Sequence, residues 1–212
     1  MLGKRTSLPD WVLSRHVTGE RFCGMTAALM DDSSMRCIRQ LSGIVSREAK
    51  AIGDLTDALL LSGIGMALAN DTRPVSGSEH IFSHFMAESA AELGPRVSHG
   101  ASVGFGTLIS TLLYEYLLDV LRPSELAPIE SELRGYLLPP LRVRDLLVAS
   151  GIGYRPKDYL SGVRGADAEG MIRRCSGTEK RYTVLRYLAD SGHLGDAIGH
   201  ALGALGRMGG QP

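Results

Sequence analysis

The chain has 212 residues, and its 23 Lys plus Arg are balanced by 23 Asp plus Glu, so its formal net charge is zero. This balance argues against nucleic-acid binding, which needs a clustered positive excess, and against a polybasic membrane-surface protein. Hydrophobic residues make up 44% of the chain, which is enough for a sizeable core and argues against disorder.

Three cysteines bear on the compartment: Cys23, Cys37 and Cys175 lie far apart and form no C-x-x-C pair. This pattern is neither a disulfide framework nor a cysteine zinc site, so we expect free thiols in a reducing environment. The first ten residues carry two positive charges but no apolar stretch behind them, unlike a signal peptide. We therefore predict a cytoplasmic protein.

The two most apolar stretches are not expected to cross a membrane. Residues 103–121 are interrupted by Glu115 and Asp119, which favours a buried helix. Residues 58–69 are too short for a span.

Apolar residues recur at helical spacing and no alternating strand pattern of useful length is present, so the sequence predicts an all-α fold. The predicted helices are Trp11–Met30, Met35–Ile52, Asp54–Ala69, Ser78–Leu93, Gly100–Leu121, shorter helices between Pro123 and Pro140, and two tail helices within 178–205. The predicted breaks are 31–34, Gly53-Asp54, 70–77 around Pro74, Gly94-Pro95 and Ser191-Gly192. We expect a single helical domain over residues 1–212.

No nucleotide-binding fingerprint is present in this helical pattern. That motif needs a strand, then G-x-G-x-x-G, then a helix. Three G-x-G pairs occur, none of which follows a strand or has the third glycine: Gly63/Gly65, Gly104/Gly106 and Gly151/Gly153. We interpret them as close helix contacts.

The segment most suggestive of chemistry is Arg73–His84. Ser76 and Glu79 fit a capping box, with Ser76 as the N-cap of the helix. This puts His80 in the first helical turn and His84 on the same face, four residues on.

Several properties of such a helix start favour a bound anion and a metal. Its backbone N–H groups and partial positive charge attract phosphate, and Arg73 adds a cation beside the loop. The same positive field favours a neutral His80, the form that binds metals. We infer a site for a phosphorylated or carboxylated small molecule near a metal.

A second histidine, His99, stands at the start of the long apolar helix and can face the same cleft as His80. Two imidazoles give two nitrogen ligands, whereas a catalytic zinc site needs three protein ligands and an open position. Asp71 and Glu79 are poor third ligands, because the cap occupies Glu79. The predicted metal site is therefore incomplete within this chain.

Structural roles for the same residues remain open at this point. His80 and His84 are equally compatible with a helix-surface or core pair, His99 with a capping role, and Arg73 with a solvated loop charge. Three further histidines have no chemical neighbours in the sequence and are expected to be structural or exposed: His16, His193 and His200.

The string Ser76-Gly-x-Glu-His-x-x-Ser-His84, with Arg73 before it and His99-Gly100 after it, resembles the sn-glycerol-1-phosphate dehydrogenases. These belong to the superfamily of glycerol dehydrogenase, iron-dependent alcohol dehydrogenases and 3-dehydroquinate synthase. Further matching pieces are Asp10-Trp11-x-Leu13, Thr18-Gly19-Glu20, Leu61-Ser62-Gly63-Ile64-x-Met66 and Arg181-Tyr182-Thr183-Val184-Leu185.

The resemblance implies an N-terminal α/β domain that binds NAD(P) and a C-terminal helical domain that holds Zn²⁺, or Ni²⁺ or Fe²⁺ in relatives. The reaction implied is hydride reduction of dihydroxyacetone phosphate to glycerol 1-phosphate, a step toward phospholipids. Carried over, His80 and His99 resemble the two histidine metal ligands. His84 is expected near the substrate, and Arg73, Ser76 and Ser78 are expected to shape its phosphate side.

This chain departs from that pattern because the nucleotide-binding domain, with the family's aspartate ligand, is missing from the 212 residues. We therefore expect the isolated chain to be inactive, and the face left by the missing domain to be apolar and to favour homo-oligomers. The alternative is a non-catalytic helical module, or a truncated product, that docks or oligomerises without activity.

Overall fold

The protein is all-α, as the sequence predicts: no strand is present within residues 1–93, 97–160, 167–177 and 181–209, which the computed structural model describes. The α-helices are α1 (Lys4–Thr18), α2 (Gly24–Arg39), α3 (Leu41–Val45), α4 (Ala49–Ala69), α5 (Ser78–Leu93), α6 (His99–Glu115), α7 (Glu130–Tyr136), α8 (Pro140–Ala149), α9 (Lys157–Leu160), α10 (Ala168–Ser176), α11 (Val184–Asp190) and α12 (Leu194–Met208). Short 3₁₀ helices cover Arg73–Val75 and Ser124–Leu126.

Helix α6 forms the centre of the core. Its buried side includes Phe105, Leu108 and Leu112, each fully inaccessible to solvent. Helices α5, α8, α11 and α12 pack around it. The Ser98 hydroxyl caps its start by accepting a hydrogen bond from the Ala101 N–H, and its end continues into a π-helical turn over Tyr116–Leu121. The predicted helix to Leu121 is confirmed in extent.

Helices α5 and α6 cross near their N-terminal ends, and a glycine makes this close contact possible. A Cβ atom at Gly106 would lie 2.5 Å from the Glu79 carbonyl oxygen and 3.1 Å from the Glu79 Cα. Gly104 similarly leaves room for the Leu147 side chain of α8, because a Cβ atom at position 104 would lie 2.8 Å from it. Both fit the interpretation of these glycines as helix contacts, and the Gly106 contact brings the two helix starts together.

The predicted boundaries of the first helices are wrong. Helix α1 ends at Thr18 because Gly19 adopts a left-handed φ of 74°, so Trp11–Met30 is not one helix. The predicted break at 31–34 lies inside α2, where Asp31 pairs with the buried Arg5 and the Ser34 hydroxyl donates to the Met1 carbonyl. The other two polar side chains have partners within the helix, Asp32 with Arg36 and Ser33 with the Met30 carbonyl, so all four are satisfied without a break.

The Gly53-Asp54 break is also wrong, because α4 continues through both residues. Asp54 is held on the helix surface, where its carboxylate accepts from Gln40 and, one helical turn away, from Lys50. The chain instead turns before α4, where Arg47 has a left-handed φ of 59°. The predicted apolar helix is therefore longer than its sequence pattern indicated.

Within the described ranges of the chain, two helices are long and apolar enough to cross a membrane by length and composition. In His99–Leu121 the apolar stretch is 83% buried, which identifies this helix as the expected core helix. In Ala49–Ala69 the apolar stretch is only 22% buried. The large apolar side chains that α4 exposes are Ile52, Leu59, Leu60, Ile64 and Leu68. The prediction that this segment is too short to span a membrane is therefore wrong. Length and composition alone do not make α4 a membrane-spanning helix.

Of the remaining predictions, the two tail helices are confirmed as α11 and α12, separated by the turn at Ser191-Gly192. The predicted loop at Gly94-Pro95 and the start of the tail at 178–180 lie outside the described residues.

Candidate functional site

The imidazoles of His80 and His99 face each other across the crossing of α5 and α6. Their ring centroids are 5.3 Å apart and their planes are inclined by 51°. Two imidazoles that bind one tetrahedral zinc through nitrogens at 2.0–2.1 Å would have centroids about 5 Å apart. The separation of the rings therefore fits two ligands of one metal ion.

The Nδ1 atom of each ring already has a buried neighbour. His80 Nδ1 lies 2.7 Å from Oε1 of Glu79, whose side chain is completely buried. His99 Nδ1 lies 3.2 Å from the hydroxyl of Ser83, which is also buried. Metal-binding histidines commonly use one ring nitrogen for such a partner and the other for the metal.

The electrostatic environment favours the neutral form of His99. Partial burial, together with the positive charges that His80 and His84 carry when protonated, lowers the pKa of His99. A neutral imidazole has a free lone pair, so this shift favours metal binding.

The predicted capping box is wrong in its register. Helix α5 begins at Ser78, and the Gly77 carbonyl accepts from the N–H groups of His80 and Ile81, so Gly77 rather than Ser76 is the N-cap. Glu79 does reach back to the cap, accepting the Gly77 N–H at 2.9 Å. Only glycine fits at position 77, because a Cβ atom there would lie 2.8 Å from the Ser7 Cα atom.

Two N–H groups at the start of α5, those of Gly77 and Ser78, are not open to a ligand, contrary to our expectation from the sequence. Oδ2 of Asp10 accepts the Ser78 N–H at 2.6 Å, and Glu79 accepts that of Gly77. Two buried carboxylates thus neutralise the positive end of the helix from within the protein. Any anion near this site needs other partners.

Asp10 ties this helix start to the opposite end of the chain. Its Oδ1 atom accepts from the Tyr114 hydroxyl at 2.8 Å and from the Val184 N–H at 2.9 Å. Burial and the nearby charge of Glu79 raise the pKa of Asp10 to about 6, despite these donors. These contacts were not predicted from the sequence, although Asp10 lies in one of the segments that carry the resemblance.

Arg73 is buried in an ion pair. Its guanidinium donates to both carboxylate oxygens of Glu20 through Nε, at 2.8 and 3.0 Å, and through Nη2 to the Tyr182 carbonyl at 2.9 Å. The Nη1 atom is buried and has no hydrogen-bond partner among the residues that the structure describes. Arg73 therefore holds the loop before α5 against α1 and the segment before α11, and it is not the solvated charge considered above.

A cleft of about 760 Å³ opens beside the two imidazoles. Ser76 and His84 line it, with His80 and His99, whereas the Ser78 hydroxyl is buried and donates to Ser110 at 2.8 Å. Of the six predicted site residues, four therefore meet at one cleft, and Arg73 and Ser78 lie in the framework behind it.

Two arginines that the sequence analysis did not select line the same cleft. The Arg181 guanidinium donates to the Ser76 carbonyl at 2.6 Å and to the Thr72 hydroxyl. Arg174 lies above the Phe85 ring, 5.8 Å from its centroid. They come from the distant α10 and the segment before α11, so only the fold shows that they share a cleft with His80.

A second cleft, of about 500 Å³, lies on the other side of the imidazole pair. It is predominantly apolar; among its lining residues are Leu2, Ile38, Leu59, Val103, Leu147 and Ile152. His80 and His99 line both clefts, so they stand where the more apolar cleft meets the one that also contains arginines.

The histidines that were expected to be structural or exposed lie elsewhere. His16 Nε2 is 2.8 Å from the Glu125 carbonyl, and His200 Nε2 is 3.0 Å from Glu115. Among the residues that the structure describes, no group of three or more His, Cys, Asp or Glu side chains is arranged to hold a metal ion. The two imidazoles are a pair without a third protein ligand in this part of the chain.

Comparison with known proteins gives a consistent set of relatives. A protein of Bacillus velezensis named glycerol-1-phosphate dehydrogenase, NAD(P)+, is 36% identical over 200 residues, which are 92% of this chain and 50% of that protein. Proteins of the same name from Bacillus licheniformis and Bacillus subtilis are 37% and 35% identical over 119 and 133 residues. These cover 56% and 62% of this chain, and 30% and 34% of the two proteins. No family model matches. The chain thus spans about half the length of its curated relatives, at most.

Proposed function

The chain belongs to the glycerol-1-phosphate dehydrogenase family, and from this we propose that it is the metal- and substrate-binding part of an NAD(P)-dependent dehydrogenase in the cytoplasm. The reaction proposed is the reduction of dihydroxyacetone phosphate to glycerol 1-phosphate, as the names of the relatives suggest. The observation that carries the proposal is the pair of imidazoles 5.3 Å apart at the junction of two clefts.

His80 and His99 would hold a divalent ion, with zinc favoured and nickel or iron as alternatives. Their Nδ1 atoms have buried partners, which leaves the Nε2 atoms for the metal. The remaining ligand would come from the NAD(P)-binding part of the enzyme. When bound, the metal polarises the substrate carbonyl for hydride transfer from the nicotinamide.

The phosphate would bind in the cleft of about 760 Å³. Arg181 and Arg174 supply the positive charge, since the N–H groups at the start of α5 are occupied. Arginine forks match phosphate oxygens in geometry and charge. His84 would contact the substrate, Ser76 would line the phosphate side, and Arg73 and Ser78 hold the loop that shapes it.

The metal assignment is tested with His80→Ala and His99→Ala in the whole chain, with His193→Ala as the control. We expect the wild type and His193→Ala to bind zinc with the same affinity in a competition assay with a chromophoric chelator. Each of the other variants should lose most of this affinity. Equal zinc binding by all four proteins would contradict the assignment.

The catalytic role is tested by assaying the chain with dihydroxyacetone phosphate and NADH or NADPH. We expect no turnover by the chain alone, because the hydride donor and the substrate must share one cleft. Turnover should appear when an NAD(P)-binding domain of a relative is added or fused. Robust turnover by the chain alone would contradict the proposal that a separate NAD(P)-binding part supplies the hydride donor.

A second candidate function is a non-catalytic module that docks or oligomerises through its helices. The exposed apolar side chains of α4 favour it, since Leu59, Leu60 and Ile64 are each more than half exposed. Zinc binding that depends on His80 and His99 would argue for the dehydrogenase, and its absence would favour the module.

A further inference from the structure

We propose that Glu79 and the Ser83–Ser102 pair are positioning residues that fix both site imidazoles as Nδ1–H tautomers before any metal binds. The proposal rests on the proposed function for its purpose, but its geometry belongs to the chain alone. It assigns a role to three buried side chains that contact neither substrate nor metal.

For His80 the direction of the hydrogen bond follows from the chemistry of a carboxylate. A carboxylate only accepts, so the 2.7 Å contact of Glu79 puts a proton on His80 Nδ1. Glu79 is held in place by the Gly77 N–H and by the Thr6 hydroxyl, which donates to its Oε2 atom at 2.9 Å. Helix α1 therefore supports His80 through Glu79.

For His99 the direction follows from counting protons along a closed chain of hydrogen bonds. The Ser102 hydroxyl donates to the His99 carbonyl at 3.0 Å, because a carbonyl only accepts. The Ser83 hydroxyl must then donate to Ser102, 2.7 Å away, since each hydroxyl has a single proton. The Ser83 oxygen is left as an acceptor, and His99 Nδ1, at 3.2 Å, must donate to it.

In the neutral form of each ring, Nε2 is therefore the unprotonated nitrogen, on the side of the ring away from these buried partners. Nε2 lone pairs are what a metal ion between the rings requires. The two supports differ chemically, since a carboxylate orients His80 and a neutral hydroxyl chain orients His99. Because every partner is buried, the tautomers are set without help from the metal.

The direct test is long-range ¹H–¹⁵N correlation NMR on the metal-free chain, with ring nitrogens labelled, at a pH well above the ordinary imidazole pKa. We expect His80 and His99 both to be Nδ1–H tautomers. Ser83→Ala should make His99 a mixture of tautomers and leave His80 unchanged. Ser33→Ala, which removes an equally buried hydroxyl bound to the Met30 carbonyl, is the matched control and should change neither ring.

An Nε2–H tautomer of either histidine in the wild type would overturn the proposal, as would an unchanged His99 in Ser83→Ala. In the zinc competition assay, Ser83→Ala and Glu79→Gln should weaken affinity about tenfold or more, the usual effect of losing such a partner. Thr6→Val replaces Glu79→Gln if that variant does not fold. If the wild type has the expected tautomers but binds no zinc, the proposed function fails and the tautomer assignment stands.

Discussion

At the scale of single residues, two buried carboxylates hold the segments that position the site histidines. Asp10 and Glu79 are both completely buried, and together they accept hydrogen bonds from α1, the start of α5, α6 and the start of α11. Such groups are costly to bury unless every oxygen has a donor. Their loss is therefore expected to affect stability as well as the site.

Removing one donor to Asp10 tests this dependence. Tyr114→Phe deletes the hydroxyl that donates to Oδ1 and leaves the ring volume unchanged. We expect the free energy of unfolding to fall by about 2 kcal/mol, because the acceptor is charged and buried. Tyr159→Phe, whose hydroxyl donates to the neutral Gly153 carbonyl, should cost about 1 kcal/mol. Equal losses in urea unfolding would contradict a special role for Asp10.

Asp10 also predicts a pH dependence of stability. Its pKa in the folded protein is about 6, above its ordinary value of 3.8, so the unfolded chain loses this proton at lower pH than the folded one. The contribution of Asp10 is complete below pH 3.8 and is lost as the pH rises through about 6. The loss corresponds to about 3 kcal/mol of unfolding free energy.

This dependence is measured by comparing urea unfolding of the wild type and Asp10→Asn over that pH range. We expect Asp10→Asn to have a lower free energy of unfolding at every pH. Unlike the wild type, however, its free energy of unfolding should not fall as the pH rises from 3.8 to about 6. The difference between the two proteins removes contributions from other titrating groups. Parallel pH profiles would show that Asp10 does not titrate in this window.

At the scale of elements, the distance between the two imidazoles is set by how closely α5 and α6 cross. Gly106→Ala would put a Cβ atom 2.5 Å from the Glu79 carbonyl oxygen, so the helices must separate. We expect loss of stability together with weaker zinc binding. Gly199→Ala in α12 is the control, since its Cβ would meet nothing within 4 Å. It should stabilise the chain by about 0.5–1 kcal/mol through helix propensity.

The sequence predicted the elements better than their boundaries. The core helix α6 was predictable because its apolar run is long and its cap, Ser98, is local. The ends of α1, α2 and α4 were not, because Asp31, Ser34 and Asp54 resemble helix breakers, and each has a hydrogen-bond or ion-pair partner outside its own helix that the local sequence does not reveal. The same limit applies to the site. The approach of His80 and His99 was expected from the resemblance, whereas Arg181 and the Asp10 contacts depend on distant segments.

At the scale of the whole molecule, the exposed face of α4 is expected to govern behaviour in solution. Leu59, Leu60, Ile64 and Leu68 are each between 51% and 64% exposed, on a helix whose other face packs on α2. We expect the chain to form oligomers or to be poorly soluble, as measured by light scattering. The double variant Leu60→Lys and Ile64→Glu should be more soluble with unchanged helicity. A monodisperse wild-type monomer would contradict this prediction.

The bridge from Asp10 to the Val184 N–H joins residues that are 174 positions apart in sequence. Closing so long a loop is entropically costly, and contacts of this separation form late on a folding pathway. We therefore expect the start of α5, and with it the orientation of His80, to be completed only after the two ends of the chain have met. During refolding, capture of a metal ion should coincide with the slowest phase, so an ion can serve as a reporter of finished folding and not as its nucleus.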